Sequence, residues 1–114
     1  LAALNLLDEM DGRKIAVLGD MLELGPYEKQ GHEMVGMRSA QVVTTLLTLG
    51  ARAHMIADAA RRAGMKSSHV FEFEKSELIV DWLNKNLTSH DAVLIKGSHG
   101  LRMDRITAAL EVKS

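Results

Sequence analysis

The sequence predicts an α/β fold, a parallel sheet covered by helices, and three observations carry that reading. Short aliphatic runs alternate with longer segments of helical periodicity along all 114 residues. Such alternation specifies a parallel sheet, because each right-handed crossover returns the chain to the same edge. Turn residues punctuate the alternation at Asp11-Gly12, Gly25-Pro26, Gly50 and Gly64. Finally, 46% apolar and 25% charged residues is the profile of a globular protein. The length suits one domain with a real core. Aromatic residues are only 4%, so Leu, Ile, Val, Ala and the seven Met must build that core.

The elements follow in order. A helix is expected over 1–10, with Ala3, Leu4, Leu7 and Met10 on one face. A chain that opens inside an amphipathic helix reads as a piece of something longer. The first strand, 13–19, is the aliphatic run "RKIAVLG". Gly25-Pro26 suits a loop into a helix over 27–40, with Pro near its start. The second strand, 43–49, is "VTTLLTL", rich in β-branched residues. A helix over 51–63 has Ile56, Ala59, Ala60 and Ala63 at helical spacing, and Gly64 stops it. "HVFEF" at 69–73 is a short third strand, and a helix over 76–87 buries Leu78, Ile79, Trp82, Leu83 and Leu87. "DAVLIK" at 91–96 is the fourth strand, and a last helix over 101–111 turns Met103, Ile106 and Leu110 inward.

Several function classes drop out. A net charge of −1 gives no basic field for nucleic acid or an anionic membrane. The absence of cysteine excludes disulfides and thiolate chemistry. No apolar run approaches the ~20 residues of a membrane span. There is no G-x-x-x-x-G-K-[ST] phosphate loop, no G-x-G-x-x-G and no G-x-S-x-G. No self-sufficient active site is visible.

In open parallel sheets, ligands sit outside the carboxyl ends of the strands. Two strand ends are informative. The first gives Gly19-Asp20-Met21-Leu22-Glu23, and the fourth gives Lys96-Gly97-Ser98-His99-Gly100. In the latter, two glycines let backbone approach a ligand, and the following helix offers free N–H groups. With a lysine and a hydroxyl, that favours an anion; the alternative is an ordinary turn with Lys96 in solvent. Asp20 could bind a ligand ammonium, bind a metal through water, pair with Lys96, or cap the next turn. Glu23 reads most simply as a solvated charge. His32 suits a surface or packing role, and His54, His69 and His90 show no metal-ligand spacing. Arg61-Arg62 and Arg102/Arg105 look like solvated helix faces.

The segments "AVLGDMLELG", "HEMVG" and "VLIKGSHGLRMDRI", in this order and spacing, carry a resemblance over essentially the whole chain. The sequence resembles the C-terminal domain of the Mur ligases, in the branch that adds D-alanyl-D-alanine to UDP-N-acetylmuramoyl-tripeptide in bacterial cell-wall synthesis. The resemblance implies a Rossmann-like open, mostly parallel sheet with helices on both faces, here lacking its first strand, which in the family carries an Asp-x-Tyr-Asn-Ala-Asn-Pro segment that reaches ATP. It implies a cytoplasmic three-domain enzyme of which residues 1–114 are part of the third domain. ATP and Mg2+ would be bound mainly outside this chain, in a central ATPase domain. ATP would convert the tripeptide carboxylate to an acyl phosphate, which the dipeptide amine attacks, leaving an amide, ADP and phosphate. Asp20, Glu23, Lys96, Gly97, Ser98 and His99 would then form the substrate-binding set. Asp20 would orient the amine and Lys96 would meet the carboxylate, a division that follows from charge matching. His99 stands where many relatives have Arg, which makes an anion contact there weaker and dependent on pH. By itself the chain is expected to be inactive. Two other classes compete: a phosphoreceiver domain, which lacks its middle-strand Asp because "VFEFEKS" offers only Glu, and a non-catalytic interaction domain.

Overall fold

The computed structural model describes residues 1–22 and 24–97. Four strands form one sheet: β1 (Arg13–Gly19), β2 (Thr45–Leu49), β3 (Val70–Phe73) and β4 (Asp91–Lys96), in the order β3-β2-β1-β4. All three pairings are parallel. Among the described residues, four α-helices accompany them: α1 (Ala2–Asp8), α2 (Glu28–Val42), α3 (His54–Arg62) and α4 (Ser76–Asn86). The expected α/β architecture, a parallel sheet with helices on both faces, is therefore observed. The helix expected over 101–111 lies outside the described residues.

The order of the strands fixes the faces. From β1 to β2 to β3 the chain steps one way; from β3 to β4 it crosses back past β1. Right-handed crossovers running in opposite directions must use opposite faces of the sheet. On one face, Leu4 and Leu7 of α1, Val42 of α2, and Ile56, Ala57 and Ala60 of α3 pack on Ala16, Leu18 and Leu46. On the other, Ile79 and Leu83 of α4 pack on Ile15, Val17, Leu47 and Leu49. Phe71 and Trp82 meet there with ring centroids 5.5 Å apart. Ile79 and Leu83 are fully buried, so truncating either to Ala costs about 2–5 kcal/mol.

Differences from expectation have local causes. Helix α1 ends at Asp8, so Met10 leaves the apolar face and is 54% exposed. Leu78 is 49% exposed because the buried stripe of α4 runs through Ser76, Ile79 and Leu83. Strand β2 begins at Thr45 rather than 43, since Val43 caps α2 with its N–H on the Ser39 carbonyl. Helix α3 begins at His54 rather than 51. Helix α2 buries His32, Gly36, Ser39 and Val42, a stripe of small and polar residues. Gly36 lets α2 lie almost directly on α3, where an added Cβ would stand 2.3 Å from the Ile56 carbonyl oxygen.

Candidate functional site

The strand order reverses between β1 and β4, and Leu18 is in register with Lys96. Both strands therefore end together, and a crevice opens between them as chain geometry demands at such a point. A cleft of about 390 Å³ lies there. Gly19, Met21 and Leu22 from the end of β1 and Leu94, Lys96 and Gly97 from β4 line it, with Leu4 of α1 on its apolar side. Lys96 is exposed and, among the described residues, takes part in no ion pair.

Asp20 stands at the same edge but faces the other way. Its N–H donates to the Leu49 carbonyl at 3.2 Å, extending the ladder toward β2. Its Oδ1 accepts the Ala53 N–H at 2.6 Å. Asp20 thus caps α3, the helix after β2, where a carboxylate also suits the positive end of the helix dipole. Arg52 approaches Asp20 Oδ2 at 3.7 Å and holds Glu28 Oε1 at 2.5 Å. Of the roles left open to Asp20, capping is the one seen, but the N–H it holds lies 33 residues on, at the start of α3, and not in the next turn. Its ion-pair partner is Arg52 rather than Lys96. Asp20 is 3% exposed. Gly50 makes this closeness feasible: its φ is +108°, and a Cβ there would lie 2.5 Å from Asp20 Oδ1.

Of the residues singled out from sequence, Lys96 and Gly97 line the cleft, and Asp20 is not among the described residues that line it. Glu23, Ser98 and His99 lie outside the described residues. Sequence reasoning passed over Arg52 and gave His32 only a surface or packing role. Arg52 had a signal, because it follows Gly50 at the end of β2, on the same sheet edge. For His32 the packing alternative is the one observed. It is completely buried, and its ring binds backbone at both nitrogens.

Farther along the edge, Glu72 of β3 accepts from His54 Nδ1 at 2.6 Å and from Arg61 at 2.8 Å. Burial would raise the Glu72 pKa, but the two donors outweigh it and hold the carboxyl below its usual value. Arg61 and Arg62, expected to be merely solvated, are both paired; Arg62 spans Asp58 and Glu33. Among the described residues no three His, Cys, Asp or Glu side chains come together to hold a metal ion. None of the described helices is long and apolar enough to cross a membrane.

Known proteins share this fold. The UDP-N-acetylmuramoyl-tripeptide–D-alanyl-D-alanine ligase of Bacillus subtilis (strain 168) is 31% identical over 112 residues, 96% of this chain and 24% of that protein. The enzyme of the same name from Escherichia coli (strain K12) is 30% identical over 114 residues, again 96% and 24%. The chain therefore spans about a quarter of the length of the curated relatives it matches. A crystal structure of MurF from Acinetobacter baumannii superposes with a TM-score of 0.78 at 25% identity, over 96% of this chain and 24% of that one. MurF ligase from Thermotoga maritima in complex with ADP superposes with a TM-score of 0.77 at 27% identity, over 98% and 26%. Residues 1–99 match the family described as Mur ligase, glutamate ligase domain, so the chain belongs to that family.

Proposed function

We propose that the chain is the substrate-binding C-terminal domain of a cytoplasmic, three-domain bacterial ligase that joins D-alanyl-D-alanine to UDP-N-acetylmuramoyl-tripeptide. One observation carries the reading: the exposed cation of Lys96 on the cleft at the strand-order reversal, in a member of this family. The incoming dipeptide has an amine that must attack and a carboxylate that needs a cation. Lys96 supplies the cation, and Gly97 lets backbone approach. The cleft set extends to Glu23, Ser98 and His99 on the same reading. Asp20 was the candidate to orient the amine. Its burial and its bond to the Ala53 N–H favour instead a supporting part, holding the end of β1 so that Gly19 and Met21 face the ligand.

The relatives' names imply ATP-driven amide formation, and one solved relative is in complex with ADP. The described residues do not form a nucleotide–magnesium site. The sequence has no phosphate loop, and the described residues bring no metal-ligand set together. ATP and Mg2+ would be held by the central ATPase domain, and no step is assigned to them here. The chain's part is to bind the dipeptide, present its amine and cover the reacting carboxylate.

The test uses the full-length ligase and varies each substrate in turn. Lys96→Ala should raise the KM for D-alanyl-D-alanine far more than that for ATP, with kcat/KM for the dipeptide falling roughly 10- to 100-fold, the worth of one charge-assisted hydrogen bond. Lys96→Arg should recover little, because a planar fork does not replace a compact ammonium beside glycine. Unchanged dipeptide kinetics in Lys96→Ala would overturn the reading.

A further inference from the structure

We infer that His32 is a positioning residue for the dipeptide side of the cleft, an inference that rests on the function proposed above. The ring is completely buried on the first turns of α2. Its Nε2 accepts the Met21 N–H at 3.0 Å. Its Nδ1 lies 2.6 Å from the Glu28 carbonyl oxygen, which has only lone pairs to offer. The two contacts demand one tautomer, with the proton on Nδ1 and a free pair on Nε2. One imidazole thus ties together both ends of the connection between β1 and α2.

That connection forms a wall of the cleft. Met21 and Leu22 line the same cleft as Lys96 and Gly97 at the strand ends. Met21 is the first residue of the connection without a ladder partner, since the Asp20 N–H still bonds to Leu49. Without His32, the Met21 N–H would have to find water or move. Two neighbouring features support the same segment. Leu24 packs over Gly31, where a Cβ would come within 2.9 Å of its Cδ1. Glu28, whose carbonyl His32 holds, is tied through its carboxylate to Arg52. Since His32 touches Met21 from behind the wall, it acts on the ligand only through the loop.

The two bonds separate by substitution. In His32→Gln the amide oxygen reaches the Nε2 position and keeps an acceptor for the Met21 N–H. In His32→Asn the amide reaches only the Nδ1 position, so the Glu28 bond survives and the Met21 bond is lost. If positioning runs through Met21, His32→Asn in the full-length ligase raises the dipeptide KM about tenfold with the ATP KM unchanged. His32→Gln keeps the dipeptide KM within about threefold. Thermal unfolding of both variants should show similar losses, so that stability does not explain the split. Equal KM values in the two variants, or a KM that follows stability alone, would overturn the inference. A second measurement is independent of any substrate: imidazole nitrogen shifts of the full-length ligase should show His32 protonated on Nδ1 only. A proton on Nε2 would overturn the clamp itself. If Lys96→Ala leaves dipeptide kinetics alone while the nitrogen shifts hold, the functional reading fails and the clamp stands.

Discussion

The two edges of the sheet use their charges differently. At the amino-terminal edge, Arg13 and Asp91 open the paired strands β1 and β4 and are in register. They join in a two-pronged ion pair, Nε to Oδ1 at 3.0 Å and Nη2 to Oδ2 at 2.7 Å. Arg13 also donates to the Asn86 carbonyl, and Asp91 accepts the Thr88 N–H. Lys14 holds the Asp8 carbonyl at the end of α1. Each of these charges is matched by a neighbour, and this part of the edge is closed. At the carboxyl-terminal edge, Asp20 is used on backbone, Arg52 is shared between two acids, and Lys96 stands on a cleft. A cation kept unpaired among the described residues, beside two glycines and an apolar wall, is poor design for stability and good design for an anion. The closed edge holds the strands in register, and that register brings Leu18 beside Lys96 at the other end.

The largest test of that contrast is Gly50→Ala. The new Cβ would enter the Asp20 carboxylate in a left-handed backbone conformation, and unfolding should be easier by about 2–4 kcal/mol. Chemical denaturation measures it; a loss under about 1 kcal/mol would mean that Asp20 moves freely and is no fixed cap. Next comes Asp20→Ala, which leaves the buried Ala53 N–H without its acceptor and should cost about 1–3 kcal/mol. Asp20→Asn retains an acceptor and should cost less; equal costs would shift the importance from the cap to the Arg52 charge.

At the closed edge the expected effect is smaller and depends on pH. The Arg13 guanidinium, together with the Thr88 N–H, holds the Asp91 carboxyl below its ordinary value despite burial. The carboxylate therefore stabilises the folded state above the unfolded value, near pH 4, and that contribution fades as pH falls through the lower folded value. Asp91→Asn should cost about 1 kcal/mol at pH 7 and flatten the acid limb of stability against pH. Denaturation from pH 7 to pH 2 checks this; an unchanged acid limb would remove Asp91 from the account. Smallest is Lys96→Ala, which should change stability by less than about 0.5 kcal/mol while altering dipeptide kinetics. A large stability loss there would make Lys96 a structural charge and erase the difference between the edges.

Much of this was legible in the sequence because it depended on local periodicity. Strands β1 and β4 were read at their observed bounds, since an aliphatic run between turn residues has few other uses. The Lys96-Gly97 turn was legible from the rule that ligands gather at strand ends. Helix α2 shows where such reading runs short. Its buried positions are His32, Gly36 and Ser39, so its apolar pattern is weak and its outward Met34 and Met37 mislead.

The fold class, the order of elements and the candidacy of Lys96 follow from local sequence, because hydrophobic period and turn chemistry act over a few residues. Only the tertiary structure decided what Asp20 and His32 do. The Ala53 N–H that Asp20 binds is 33 residues away, and the Met21 N–H that His32 binds is 11 away. A buried polar side chain takes whichever unpaired backbone group packing brings to it. No local pattern encodes that group: strand order and register place it.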